Sequence, residues 1–312
     1  MSRVLYYVVL KPISLLPFWV LFYLSDLMFI VLFKVVGYRK SVAFTNLKNA
    51  YPDKTDEEIN AIQENFFRHF CDVIVESIKL FSISKEEIRK RFKIINTETL
   101  EDFYTQKRSI ILVGGHYNNW EIAAKGFDLC TPHQAVGIYS PLRDKFFEGK
   151  LNKSRTEFGV EIVSKALVPR SFVVNKKRLT MTIFGADQSP TGSKYVHWMN
   201  FLNQETAVHL GAEAFSVKYN YPVVFIRIDK VKRGYYEGKV EVLHDNPSSS
   251  EKGEITELHT KYLERVINEN PQYWLWSHMR WKRKMTDEER AANANFGVKA
   301  AKLTKIEDII HY

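Results

Sequence analysis

The run Ser109-Ile110-Ile111-Leu112-Val113-Gly114-Gly115-His116-Tyr117-Asn118-Asn119-Trp120-Glu121 constrains the fold more than any other part of the 312-residue chain. Ile110 to Val113 is continuously apolar, the pattern of a strand covered on both faces in a parallel sheet. Gly114 and Gly115 allow a tight turn and leave open space beside the next side chain. Asn118 is expected to cap the helix that follows, with Glu121 three residues on in capping-box position. His116 then stands just outside that helix, at the carboxyl end of a strand, where open α/β sheets place their ligands.

A histidine there suits general base chemistry. It titrates near neutral pH, so it can take a proton from a hydroxyl and return it to a leaving group. Glu121 is expected to turn back to the far ring nitrogen, fixing the tautomer and stabilising the imidazolium. The rival reading makes Glu121 only a helix cap and His116 a turn residue.

After this stretch strands and helices alternate. Strands are expected at Gln134–Tyr139, 160–164, 179–184, 221–231 and 235–243. Helices are expected at 143–158, 171–178, 206–219 and 255–267. Before it, Thr55 and Glu58 form a capping box that opens a long helix with Ile59, Ile62, Phe66, Phe67, Phe70 and Val73 on one face. The implied fold class is α/β, a mainly parallel central sheet flanked by helices. Residues 1–40 read as an amino-terminal membrane anchor, 41–285 as the main domain, and 286–312 as a polar helical tail.

The anchor reading rests on Leu15 to Phe33, apolar apart from Tyr23, Ser25 and Asp26 and flanked by Lys11, Lys34, Arg39 and Lys40. The span is just long enough to cross a bilayer. Asp26 near its middle costs roughly 3 kcal/mol on insertion scales, so one imperfect transmembrane helix and one interfacial helix both stand. The basic flank favours a folded part on the cytoplasmic side.

Net charge is +9, which favours acidic partners. Cys71 and Cys130 are the only cysteines, which argues for a reducing compartment and against a disulfide framework. His197, His209, His244, His259 and His278 lack paired ligand spacing, so no metal is expected. No Gly-rich phosphate loop is present, and no cofactor is expected. Asp187 and Gln188 follow a buried strand and share the sheet edge with His116, either to orient substrate hydroxyls or to close a turn. Arg143, Lys150, Lys153, Arg155 and Lys165 cluster between two strands. Arg155 suits a phosphate or phosphopantetheine group, while Lys150 and Lys153 read as a solvated face. Lys165 and Asn119 complete the expected substrate contacts.

With these residues set out, the chain resembles the bacterial lysophospholipid-acyltransferase-like family, and within it the late acyltransferases of lipid A biosynthesis. His116-x4-Glu121 after Gly-Gly, Arg155 four residues before Gly159, and Gly185-Ala186-Asp187-Gln188 carry the resemblance. So do Phe201-Leu202-Asn203 with Gly211 and Pro222-Val223-Val224, and the closing Trp274-Leu275-Trp276-Ser277-His278-Met279-Arg280-Trp281-Lys282. A departure is Glu157, where that branch often carries a second Arg. The resemblance implies a glycerolipid acyltransferase-like fold with His116 and Glu121 catalytic. It also implies an inner-membrane location, an acyl carrier protein thioester as donor and a lipid A precursor as acceptor. Another acylated lipid as acceptor remains an alternative of the same class. A basic module binding nucleic acid or anionic lipid without chemistry is a rival of another class; the spread of charge along the chain speaks against it.

Overall fold

The computed structural model describes residues 2–190, 193 and 195–294, with backbone alone for 291–294. Its nine strands are β1 (Phe92–Ile94), β2 (Ile110–Gly114), β3 (Gln134–Tyr139), β4 (Glu161–Ser164), β5 (Thr180–Gly185), β6 (Val196–Phe201), β7 (Gln204–His209), β8 (Val223–Lys232) and β9 (Tyr235–His244). Seven form one sheet in the order β1-β9-β8-β2-β5-β3-β4, parallel throughout except for the antiparallel β8–β9 pair. The expected α/β class is therefore what the chain adopts. β2 is central because all four of its apolar residues find a core. Ile111 and Val113 pack with Val223 and Phe225 on one face, while Ile110 and Leu112 pack with Val224 and Ile226 on the other. A period of two serves two faces at once.

The helix expected over 206–219 is half wrong. Residues 204–209 form β7, paired with β6 as a separate hairpin, and the helix occupies only Gly211–Tyr219. The turn between them is Leu202-Asn203, with φ of 50° and 57°. Two consecutive left-handed residues make the twist a two-residue hairpin needs, here without the glycine that usually announces it. The long helix Asp56–Lys79 opens on the Thr55–Glu58 capping box, as read from the sequence. Trp274 and Trp276 are buried in the core that the last segment closes. A short helix, Asp287–Ala294, begins the carboxyl tail, and residues 295–312 lie outside the described ones.

The amino-terminal segment lies against the domain rather than apart from it. Its helix is interrupted at Leu16-Pro17, where both residues are extended (ψ 148° and 154°). From Phe18 on, Leu21, Ser25, Phe29 and Phe33 are buried at helical spacing, whereas Leu15, Trp19, Tyr23, Leu27 and Ile30 are exposed. Among the described residues one helix, Phe18–Val35, is long and apolar enough to cross a membrane. Its inner face is nevertheless tied down by polar bonds. Ser25 donates to the Asp72 carboxylate at 2.8 Å, and Arg233 bridges Asp72 and Asp26, each at 2.7 Å. Asp26 is thus an ion-pair partner at the helix–domain junction, which explains a carboxylate in so apolar a run. Lys230 completes the cluster, 3.3 Å from Asp72.

Asp72 is the buried member on which both cations converge, so its loss strands charge where solvent reaches poorly. Asp72→Ala should cost about 3 kcal/mol, whereas Asp26→Ala, at an exposed position, should cost less than about 1 kcal/mol. Urea midpoints at constant slope would separate the two, and equal effects would refute this ranking.

Candidate active site

Register builds the site. In the β2–β5 pair Gly114 stands opposite Gly185, and the Ala186 N–H donates to Gly114 O at 3.0 Å. His116 and Asp187 each come two residues after those glycines, so the parallel strands deliver them side by side. The Asp187 carboxylate then clamps His116 twice, accepting from its backbone N–H at 2.7 Å and bonding ring Nδ1 at 2.7 Å. Trp274 Nε1 donates to the same carboxylate at 2.9 Å. Gly115 has no room for a side chain: an added Cβ would meet both Leu263 methyls at 2.8 Å and the Asp187 carboxylate at 3.2 Å. The open space expected beside Gly115 is therefore filled, and the glycine is needed because Asp187 stands there.

This corrects the expected pairing of His116 with Glu121. Asp187 holds the ring, and Glu121 instead forms a forked ion pair with Arg155, with contacts of 2.7 and 3.0 Å to Nη2 and 3.3 Å to Nε. The cap assignment also shifts by one residue. Asn119, not Asn118, accepts from the Ile122 N–H at 3.0 Å and opens the helix Trp120–Gly126. Asn118 adopts φ 54°, and its amide donates to Ile228 O at 2.7 Å. With the helix starting one residue later, Glu121 leaves the capping-box position and its carboxylate is free for Arg155.

Asn119 does not reach a substrate either. It is fully buried, and its amide donates to Glu76, which also accepts from Tyr236 at 2.8 Å. Burial raises the Glu76 pKa to about 7. Asn119 belongs to the support beneath the site.

Burial alone would raise the Asp187 pKa, but His116 and the N–H donors hold it well below the usual carboxylate range. For His116 burial works downward, and the Asp187 charge outweighs it, so the imidazole pKa is raised; Glu121 adds to this and Arg155 opposes it. With Asp187 ionised, Nδ1 carries the proton and Nε2 presents its lone pair. The Gln188 amide nitrogen stands 3.0 Å from Nε2. The next residue is anchored as well: the Ser189 N–H donates to His278 Nε2 at 3.2 Å, on a ring whose pKa burial lowers to about 4.

His116, Glu121, Arg155, Gln188 and Lys165 all face one cavity of about 550 Å³, whose walls include Ile138, Ile162, Val168, Ile183, Phe184 and Phe215. His209 lines it too, its pKa lowered by burial to about 4. Arg143, Lys150 and Lys153 stay outside it. Lys150 is not simply solvated, since it donates to Tyr7 at 3.0 Å and lies against Tyr6 and Phe146. Glu157 also has a local purpose: it pairs with the buried Lys125 at 2.7 Å, a role an arginine could not fill. Two backbone N–H groups of the Gly114–Asn118 turn are already engaged. The His116 N–H goes to Asp187 and the Asn118 N–H to Tyr273 O. Among the described residues no cluster of three metal-ligating side chains occurs.

The Asp187-held histidine and the Glu121–Arg155 ion pair thus share one cavity with many apolar side chains. The chain belongs to the bacterial lipid A biosynthesis acyltransferase family, whose model matches residues 2–283, and it is an acyltransferase. It is similar to the lipid A biosynthesis palmitoleoyltransferase of Escherichia coli (strain K12), 22% identical over 248 residues that cover 78% of this chain and 79% of the relative. It is also similar to a lipid A biosynthesis acyltransferase of Haemophilus influenzae, 21% identical over 76% of this chain and 74% of that one. With the E. coli lipid A biosynthesis lauroyltransferase it shares 25% identity over 103 residues, 33% of each chain.

The contact at Gly115 is testable. Gly115→Ala should lower stability by about 1–3 kcal/mol through overpacking, and activity should fall further as Asp187 is pushed from His116. Thermal melts and turnover of the purified variant would check this; unchanged melting with full turnover would refute the close approach.

Proposed function

We propose that the protein moves a fatty acyl chain from an acyl carrier protein thioester to a hydroxyl of a lipid A precursor. The carrying observation is the hydrogen-bonded series Asp187–His116–Gln188, whose last two members line a cavity with many apolar side chains. The acyl chain lies along the apolar walls, with the thioester carbonyl near His116. The acceptor hydroxyl replaces the Gln188 amide at Nε2, where its proton passes to His116 as its oxygen attacks the carbonyl. Asp187 holds the Nδ1–H and stabilises the imidazolium, the part first assigned to Glu121. The tetrahedral oxyanion collapses, the carbon–sulfur bond breaks, and the proton on Nε2 returns to the departing thiolate. Arg155, oriented by Glu121, supplies charged N–H groups toward the oxyanion or a phosphate. Lys165, without an ion pair among the described residues, serves a phosphate of donor or acceptor. No side chain of the relay is a serine or cysteine nucleophile, so transfer is direct.

For membrane attachment we favour an interfacial helix. The exposed face with Leu15, Trp19, Tyr23 and Leu27 would enter the lipid while Ser25 and Asp26 stay bonded to the domain. Lys34, Arg39 and Lys40 beside it suit the anionic cytoplasmic leaflet of the inner membrane. In this reading residues 1–40 form the anchor and 41–285 the acyltransferase domain.

Turnover with acyl carrier protein thioester and a lipid A precursor, read by mass spectrometry, tests the assignment. His116→Ala should fold and lose about 10² to 10⁴ in kcat. Near-wild-type turnover in that variant would sink the catalytic assignment. Lipid A unchanged between cells with and without the gene would redirect the acceptor to another lipid.

The sign of the pH dependence follows from the relay. The working base is neutral His116, so activity falls as pH drops through a pKa raised above about 6.5. Asp187→Asn removes the charge that raises it, and the acid limb of kcat/KM should move down while the maximum falls through loss of the tautomer. A limb that moves up would contradict the role given to Asp187. For Arg155→Lys the charge survives and the forked geometry does not. A fall in kcat with little change in KM marks an oxyanion contact, and a rise in KM alone marks a phosphate contact.

A further inference from the structure

Next to Asp187 lies a small void of about 10 Å³, bounded by Asp187, His259, Thr260, Arg280, Phe225 and Leu263 among others. Its size is that of one water molecule. Two of the residues facing it carry buried nitrogens with no hydrogen-bond partner among the described residues, Nε of Arg280 and Nε2 of His259. Arg280 is 2% exposed and His259 3%. Arg280 spends Nη2 on Ala207 O at 2.7 Å, and His259 Nδ1 meets Thr260 Oγ1 at 3.4 Å. Buried polar groups are almost always satisfied, so two orphans beside one void call for a shared partner. Asp187 has room for it. An ionised carboxylate offers about four acceptor positions, and three are taken, by the His116 N–H, the His116 ring and the Trp274 indole.

We propose that one ordered water fills this void, accepting from Arg280 Nε and His259 Nε2 and donating to the last acceptor position of Asp187, which makes Arg280 a positioning residue for the His116–Asp187 pair. A chloride would satisfy the two nitrogens but would stand beside a carboxylate, so the charge of Asp187 selects water. His259 is neutral at working pH, since burial lowers its pKa to about 4, and so supplies one N–H without adding charge. Arg280 is then the permanent cation coupled to Asp187. It balances the carboxylate while His116 is neutral, and it limits how far Asp187 can raise the histidine pKa. Burial lowers the pKa of Arg280 itself only to about 10, so it stays charged throughout the working range.

This inference rests on the general-base reading of His116. The other charged or titratable groups around the pair are Glu121, Arg155 and His278, with Lys165, His197, His209, Lys282 and Arg283 further round. All of them are retained in the variants below. In the full-length detergent-solubilised enzyme, Arg280→Gln should move the acid limb of kcat/KM up by about one pH unit, as loss of a nearby cation does. Turnover well above the limb should also fall, as Asp187 loses its water-mediated hold, but the shift of the limb is the distinguishing readout. Arg280→Lys keeps the charge and should return the limb to its original place. A purely structural role would lower activity equally at every pH and leave the limb unmoved, which overturns the proposal. Should Arg280→Gln not fold, a high-resolution crystal structure of the unaltered protein decides. One density peak within hydrogen-bond distance of Arg280 Nε, His259 Nε2 and an Asp187 oxygen supports the proposal, and an empty void refutes it. An unmoved limb in an enzyme that still needs His116 defeats only this inference, whereas full turnover of His116→Ala defeats the reading beneath it.

Discussion

Most of the site depends on one alignment, Gly114 opposite Gly185 in neighbouring parallel strands. Parallel pairing moves both chains toward the same sheet edge, so two residues after the paired glycines His116 and Asp187 arrive together. A side chain at Gly115 would crowd that contact. Gly115 leaves the volume that Leu263 and the Asp187 carboxylate occupy. A slip of one residue would carry the apolar residues of β2 to the wrong cores, so the hydrophobic pattern that builds the sheet also enforces the His116–Asp187 geometry.

Around that contact the carboxylates divide the work. Asp187 is buried, held by three N–H donors and ionised, so it holds a histidine and favours its charged form. Glu121 and Arg155 are partly exposed in the cavity, where a forked ion pair keeps the guanidinium pointed while leaving donors free. Glu76 is buried with its pKa raised to about 7, and it fastens the helix cap to the core through Asn119 and Tyr236. Three acids of similar intrinsic strength thus differ because burial and partners differ.

The amino-terminal helix illustrates how tertiary contacts reinterpret composition. Hydropathy marks it as a span, yet every fourth residue on one side is committed to the domain, and its single acid is paired with Arg233. The face left over is apolar and aromatic, suited to lying in an interface while the domain stays joined to it. The polar ties run to the Asp56–Lys79 helix and the tip of the β8–β9 hairpin, at the same carboxyl edge that carries His116.

The chain alone determined the class of fold, because four apolar residues followed by two glycines leave few options but a buried parallel strand and a turn. It also placed His116 at the sheet edge, put Asp187 and Gln188 on the same edge, and marked the Thr55–Glu58 cap, since these depend on short-range chemistry. What it could not decide was pairing across distance. Whether Glu121 or Asp187 meets the histidine depends on strand register and on a helix cap displaced by a single residue, from Asn118 to Asn119. The β6–β7 hairpin was hidden because its turn uses Leu202 and Asn203 in left-handed conformations that local propensity does not announce. The purposes of Glu157 and Asp26 were equally hidden, because each answers a cation, Lys125 or Arg233, that only the folded chain brings alongside. Local patterns write the elements; the energy of burying a charge or an apolar face against a distant partner selects how they meet.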